Sequence, residues 1–530
     1  MRRFLRRAAL PVLGLAMASC TDLTETPYSQ VTETNIKPSV GSLIAPAYSP
    51  LRDVWMGWYG NLDFQEETAD ALLTPVRPNG WYDGGTYIRL HEHRWDVTQG
   101  QPAALWDRSF SGINAVNRII YQMESGAVPV ADSLKPGLRA ELQALRAYYY
   151  SLLLDSFGNV PIVTDFTSKE VPQQSTRQQV YDFVVAELTA ALPTLSTAKG
   201  TSTYGRVNRW AAEGILARVY LNAAVYTGTP QYDKVLAVTQ ALMDSGGYQL
   251  EPRYRAPFAR NNDQSVEIIW TVPYDAVNGC CSNFHMKTLK PELRRVFNLQ
   301  AQPWGGSASN PQFIDTYDPD DTRLPDTWLM GRQFTPDGKY GYDFVKYVPR
   351  IDSTAFNNGF PVWKYEIYAG ETGASDVDYP IMRYAEVLMM RAEALLRTGQ
   401  ADSAAVLVTQ VRQRAFATTN PSKATVTGAQ LTQGSSYNYG WYDTDGVVKT
   451  GPGGAPVVNG GADVSYGRFL DELGWEFAAE GHRRQDLVRF GVFTTKTWFN
   501  HAPNGGYRAM FAIPSGAMAT NPNLKQNPGY

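Results

Sequence analysis

Between Ile381 and Leu396 the apolar residues Ile381, Tyr384, Ala385, Leu388, Ala392 and Leu395 recur at steps of three and four, the spacing that lines one face of an α-helix. Thr398-Gly399-Gln400 then supplies a glycine stop and a short turn before an acidic start at Asp402. Residues 381–397 and 402–415 are therefore predicted to form an antiparallel helix pair, with Glu393 and Arg397 placed to pair across one turn. A helix pair of this size buries its apolar stripe only against a neighbour. Matching signals recur at 103–122 with 138–156, at 176–191 with 208–226, at 232–245 and, last, at 468–490.

The predicted class is mostly α, a divergent tetratricopeptide-like helical repeat scaffold carrying a large irregular, loop-rich ligand-binding region. Trp210, Ala217 and Tyr220 have the flavour of that repeat, although no strict period survives the insertions. The repeats fall at roughly 103–245 and 381–490, separated by a Pro-, Gly-, Asn- and Asp-rich stretch, 252–379. One strand signal stands out there, Glu267-Ile268-Ile269-Trp270-Thr271-Val272. A second irregular block, 418–462, reads as a long surface excursion. Loops over a rigid scaffold are where recognition sites tend to sit.

The N-terminus constrains location. Arg2, Arg3, Arg6 and Arg7 precede an apolar run over 8–18, and Met17-Ala18-Ser19 leads into Cys20. The run is too short to span a bilayer, which needs about 20 apolar residues, and reads as a cleaved signal over 1–19. A cysteine at that point suits lipidation, so Cys20 is predicted to carry acyl chains that tether the chain to a membrane. Residues 20–35 are polar and without period, a tether; residues 36–530 form one body.

Apolar residues make up 43% of the chain and the net charge is only -3, which argues against disorder and against a nucleic-acid partner. The remaining cysteines, Cys280 and Cys281, are adjacent, which excludes a disulfide framework and leaves a vicinal disulfide and free thiols both open. No cofactor fingerprint, phosphate-cradling loop or catalytic nucleophile motif is present. His91 and His93 flank Glu92 at a spacing that would share one strand face, but no third metal ligand lies nearby. Asp315, Asp318, Asp320 and Asp321 lack the glycine and closing glutamate of a calcium loop and read as a turn leading into a helix. No metal is expected.

Several blocks resemble the SusD/RagB family of outer-membrane nutrient-binding lipoproteins. They are Arg146-Ala147-Tyr148-Tyr149-Tyr150 to Phe157-Gly158-Asn159-Val160-Pro161, and Arg206-Val207-Asn208-Arg209-Trp210 with Ala217-Arg218-Val219-Tyr220-Leu221. Asp320-Asp321-Thr322-Arg323-Leu324, Arg383-Tyr384-Ala385-Glu386 to Ala392-Glu393-Ala394, Glu480-Gly481-His482-Arg483-Arg484-Gln485-Asp486-Leu487 and the ending from Ile513-Pro514 to Tyr530 follow in order. The resemblance implies a lipid-anchored protein exposed at the outer membrane that captures a glycan or similar nutrient without chemistry. It also implies a partner, a TonB-dependent SusC-like outer-membrane barrel. Within the blocks, Arg383 with Glu386 and Arg483 with Asp486 lie three apart and are predicted to pair.

Aromatic residues reach 12%, with 31 Tyr and 13 Trp, many in irregular segments. Such rings suit sugar faces. Trp81 and Tyr82 are the leading ligand-binding candidates, in a Gly-rich loop where Arg77, Asn79 and Asp83 could bond hydroxyls. Tyr274 and Trp304, from the later irregular stretch, are predicted to complete the cradle; Trp328 is a poorer candidate. A surface-anchored glycoside hydrolase, whose paired carboxylates a sequence cannot place, and a protein-binding repeat scaffold are the competing readings.

Overall fold

The computed structural model describes residues 39–530 apart from 57, 79–80, 276–281 and 441–459; Cys20, Asn79, Cys280 and Cys281 lie outside the described residues. Residues 44–530 form one compact unit, distinct from 1–43. Its scaffold is a run of packed helices. Gly100–Glu124 lies against Lys135–Phe157, which lies against Arg177–Ala191, and Arg209–Leu221 lies against Tyr232–Ser245. Tyr232–Ser245 in turn packs on Tyr384–Arg397, and that helix on Ala401–Phe416. The two blocks of predicted repeats, separated by the loop-rich stretch in sequence, therefore join in space through this contact.

Local chemistry explains several boundaries. Thr176 caps Arg177–Ala191 reciprocally: its hydroxyl accepts from the Gln179 N–H at 3.3 Å while Gln179 Oε1 accepts from the Thr176 N–H at 2.8 Å. The tyrosines of the 146–150 block are buried, and each hydroxyl has a partner. Tyr148 accepts from Trp55 Nε1 at 3.0 Å, Tyr149 donates to Ala47 O at 2.8 Å and Tyr150 accepts from Val163 N at 2.7 Å. Burial of these rings is thereby free of orphaned polar groups.

The structure departs from the predicted elements where tertiary partners outweigh local pattern. Residues 379–383 form a strand, Tyr379–Arg383, paired antiparallel with Ile268–Val272, and the helix begins only at Tyr384. Ile381 satisfies both periods because the strand is buried on both faces. The predicted helix over 208–226 breaks at Asn222 into Arg209–Leu221 and Ala223–Thr227. The predicted helix over 468–490 is likewise two, Gly467–Phe477 and Arg483–Arg489.

In the second break, the carbonyls of Glu476 and Ala478 accept from Lys364 Nζ at 3.0 Å and that of Ala479 from the Tyr365 hydroxyl at 2.9 Å. The Gly481 N–H donates to Glu66 Oε1 at 2.7 Å. These partners replace the lost helical bonds. Gly481 has φ +76°, and a Cβ there would meet the Trp55 ring at 2.8 Å.

The predicted local pairs also change. Arg383 bonds Glu267, Glu476 and Glu480 at 2.7–2.9 Å, and Glu386 instead takes Arg218 at 2.7 Å. Arg483 bonds Asp70 at 2.6 Å, while Asp486 takes Arg489 at 2.7 Å. Only Glu393–Arg397, at 2.8 Å, pairs within its helix as predicted. Arg383, Glu386 and Arg483 thus bridge different elements.

Candidate functional site

Two distant segments are brought together by a short antiparallel pairing, Leu72–Leu73 with Ala308–Ser309. Chain continuing past Leu73 reaches Trp81 and Tyr82, and chain preceding Ala308 carries Trp304. The second segment is held from below by backbone bonds: Trp304 N to Met286 O at 2.7 Å, Gly305 N to Leu289 O at 2.8 Å and Gly306 N to Lys287 O at 2.7 Å. Trp81 locks the two segments, its indole Nε1 donating to Trp304 O at 2.6 Å. Its ring lies so close to Gly306 that a Cβ there would sit 2.9 Å away, which leaves no room for a larger residue.

Around Trp81 the aromatic rings form one cluster. Trp58 lies 5.8 Å from Trp81 and 5.6 Å from Trp304, edge-on to the latter, and 5.6 Å from Tyr59; Tyr87 lies 5.5 Å from Trp81. These spacings are those of favourable ring pairs. Exposure divides the cluster into floor and platform. Trp81 is 9% exposed and Tyr87 2%, whereas Trp58 is 41%, Trp304 37% and Tyr82 60% exposed. Two large rings of the cluster, Trp58 and Trp304, thus face solvent beside a buried aromatic base, and Tyr82, next to Trp81 in sequence, is exposed as well.

Arg108 fixes the Trp58 segment, donating to Trp58 O at 2.8 Å and Asp53 O at 2.6 Å. Tyr59 donates its hydroxyl to Asp83 Oδ2 at 3.2 Å, and burial with the neighbouring Asp83 charge pushes the Tyr59 phenol up. Beneath the floor, Lys287 Nζ bonds Asp63 at 2.6 Å and Glu67 at 2.9 Å and lies 4.4 Å from the Tyr87 ring.

Apart from Asn79, outside the described residues, each predicted ligand-binding residue has a definite place. Trp304 is exposed in the cluster, Asp83 is exposed and bonded to the cluster's Tyr59, and Tyr82 is exposed between Trp81 and Asp83 in sequence. Trp81 is its buried support. Arg77 does not reach ligand hydroxyls as expected: it is 2% exposed, and its guanidinium donates to the carbonyls of Ala355, Asn358 and Gly306. With desolvation unopposed by a carboxylate, its pKa falls to about 9.

Tyr274 is not part of a cradle either. It is buried, its hydroxyl donating to Arg52 O and its N–H to Asp378 Oδ1, both at 2.7 Å. Trp328 is also buried. The sequence reading missed Trp58 and Tyr59, although Gly57-Trp58-Tyr59-Gly60 carries the same signal as Gly80-Trp81-Tyr82-Asp83-Gly84, paired rings between glycines.

The histidines occupy a buried joint. His91 Nε2 meets Phe499 O at 2.6 Å, His93 Nε2 meets Thr68 O at 2.7 Å, and His501 Nδ1 meets His91 O at 3.0 Å. Burial pushes His91 down to about 4 and His93 to about 3, so both are neutral packing groups at ordinary pH. The aspartates serve a turn. Asp318 and Asp320 bond Lys423 at 2.7 and 2.8 Å, Asp321 holds Arg323 at 2.6 Å, and Asp315 pairs with Lys346.

The segments that build the cluster both fall within matches to one family. The SusD family profile matches residues 266–530, and a second profile, described as starch-binding associating with outer membrane, matches 40–221. The chain belongs to the SusD family. It is 25% identical to the starch-binding protein SusD of Bacteroides thetaiotaomicron, with 91% of this chain and 84% of that one covered. It is 21% identical to SusD-like protein P25 of Formosa agariphila, over 89% of each chain.

Among solved SusD-family structures, surface glycan-binding protein A of Bacteroides thetaiotaomicron in complex with laminarihexaose superposes with a TM-score of 0.69 at 19% identity, covering 92% of this chain and 98% of that one. A SusD-like protein of Bacteroides fragilis gives 0.69 at 18% identity, covering 93% and 97%. The mostly helical, repeat-based architecture is thus that of the SusD family. Among the described residues no helix is long and apolar enough to cross a membrane.

Proposed function

We propose that this protein is a non-catalytic capture protein for glycans, held at the outer surface of the outer membrane by acyl chains on Cys20, that passes its cargo to a TonB-dependent SusC-like barrel. The observation that carries the reading is the exposed ring pair Trp58 and Trp304 on the buried support of Trp81 and Tyr87, with the exposed Tyr82 next to Trp81 in sequence. Flat, rigidly backed rings offer apolar area to the C–H faces of a sugar at little entropic cost. Asp83, exposed beside them, is an acceptor for hydroxyls. The family's named starch- and glycan-binding members support capture as the role.

The test is incubation of the purified full chain with a panel of polysaccharides. Retarded migration in a gel containing one of them, with the polymer recovered at its original length, supports capture. Shortened products would assign a hydrolase instead. Co-purification of a barrel from solubilised outer membranes tests the delivery step, and a Cys20→Ala variant is expected to leave the membrane fraction.

A further inference from the structure

Charge around the ring platform is unevenly distributed. Cations near it are buried or bonded in part to the protein's own groups. Arg108 spends both terminal nitrogens on Asp53 O and Trp58 O. Arg89 donates to Gly84 O at 2.7 Å and Gln99 Oε1 at 3.3 Å. Lys290 is buried on Ser307 O at 2.6 Å and Gly306 O at 3.3 Å, and Lys287 is buried between Asp63 and Glu67. Arg77 lies beneath the loop. Recognition of a carboxylate or sulfate uses a guanidinium fork or an ammonium aimed at the ligand; Lys287, Lys290 and Arg77 are buried, and Arg108 and Arg89 each have two nitrogens already bonded within the protein.

Carboxylates, by contrast, are exposed. Asp83 stands in the solvent-facing turn after Tyr82, with Asp53 and Asp107 exposed on the Arg108 side. Burial pushes the Arg108 guanidinium down, and the charges of Asp53, Asp63 and Asp107 act against that. At Tyr87, burial first and then the nearby charges of Asp63, Glu67 and Asp83 push the phenol up. Ring faces add their own negative quadrupole.

We propose that the platform is matched to an uncharged glycan and that Asp83 is the residue that disfavours acidic polymers. The proposal rests on the glycan-capture reading above and narrows it to one chemical class. Stacking on neutral sugar rings and hydrogen bonds from hydroxyls to Asp83 supply the attraction, while uronate or sulfate groups meet the repulsion of the Asp83 carboxylate.

The experiment uses the full chain with laminarin and soluble starch as neutral probes and polygalacturonate and dextran sulfate as anionic ones, titrated at low and high salt. The expected result is binding of a neutral polymer at least ten-fold tighter than either anionic one, with affinity nearly flat as salt rises from about 0.05 to about 0.5 M. An anionic polymer bound as tightly as the best neutral one, and losing affinity with salt, overturns the proposal while leaving glycan capture standing. Binding of none of the four overturns both.

Asp83→Asn supplies a second readout. Position 83 has φ +44°, a left-handed conformation that asparagine tolerates, so the variant keeps the turn. The ratio of anionic to neutral affinity is expected to rise about three- to five-fold, the effect of one unit charge acting across a few ångström of wet surface. An unchanged ratio removes Asp83 from the selectivity.

Discussion

At the scale of single residues, the tryptophans of the cluster divide labour by exposure, and two substitutions separate the roles. Trp81→Ala removes a ring that is 9% exposed and bonded to Trp304 O; it is expected to cost about 3 kcal/mol of stability, read as a lowered denaturation midpoint. Trp58→Ala removes a ring that is 41% exposed; it is expected to leave the midpoint nearly unmoved and to weaken glycan binding about ten-fold or more, since truncating a well-supported Trp is where binding energy concentrates.

Sequence pointed to Trp81, Tyr82, Asp83 and Trp304 because glycine-flanked rings in an irregular stretch have few ways to be periodic core. Which ring is floor and which is platform was not legible. That depends on the Leu72–Leu73 to Ala308–Ser309 pairing, which turns Trp81 inward against Gly306. Tyr274 and Arg77 were misread for a related reason: a polar tip in a loop segment says nothing of whether a carbonyl from elsewhere in the fold will take it.

At the scale of elements, the helix Gly467–Phe477 is held through its acidic face. Glu476 takes Arg383 at 2.8 Å, Arg414 at 2.6 Å and Arg323 at 3.3 Å, all buried, and Glu472 takes Arg468 at 2.7 Å as well as Arg412 and Arg323. Removing one member of such a network leaves uncompensated buried charge, so Glu476→Gln is expected to cost about 3–5 kcal/mol in a denaturant titration. Burial raises the Glu472 carboxyl, yet Arg468, Arg412 and Arg323 overcome it and hold the group at about 2. A depressed carboxylate stabilises above its unfolded value of about 4.3. Its contribution is lost as pH falls from there towards 2.

The helix pairs were legible because their stripes are long and periodic; the breaks at 222 and 478–482 were not, because Arg489 at the first, and Lys364, Tyr365 and Glu66 at the second, supply partners that no local pattern contains. The motifs that made the family recognisable are largely these buried ion pairs. They report the scaffold, and the ring platform lies outside them.

At the scale of the whole molecule, distant parts of the chain close on one another. Trp95 Nε1 donates to the terminal Tyr530 hydroxyl at 2.6 Å, Asn527 Nδ2 bonds Phe157 O at 2.9 Å and Phe511 O at 2.8 Å, and the His91, His93 and His501 joint ties the segment behind Tyr87 to residues 498–501. His91 and His93 are depressed to about 4 and about 3. Their contribution is therefore full above the unfolded value of about 6.5 and is lost as pH falls towards those values. Imidazole resonances are expected to report both rings neutral at pH about 6; a protonated ring there would contradict the packing described.

Closure of this kind gives the platform a fixed base, and the central claim is that the platform captures glycan through its exposed rings. The most direct measurement is a calorimetric titration of a neutral glycan into the full chain and into the Trp58→Ala, Trp304→Ala double variant. Saturable binding by the full chain, lost in a variant that keeps its denaturation midpoint, is the predicted result. Equal binding by both proteins would contradict the account.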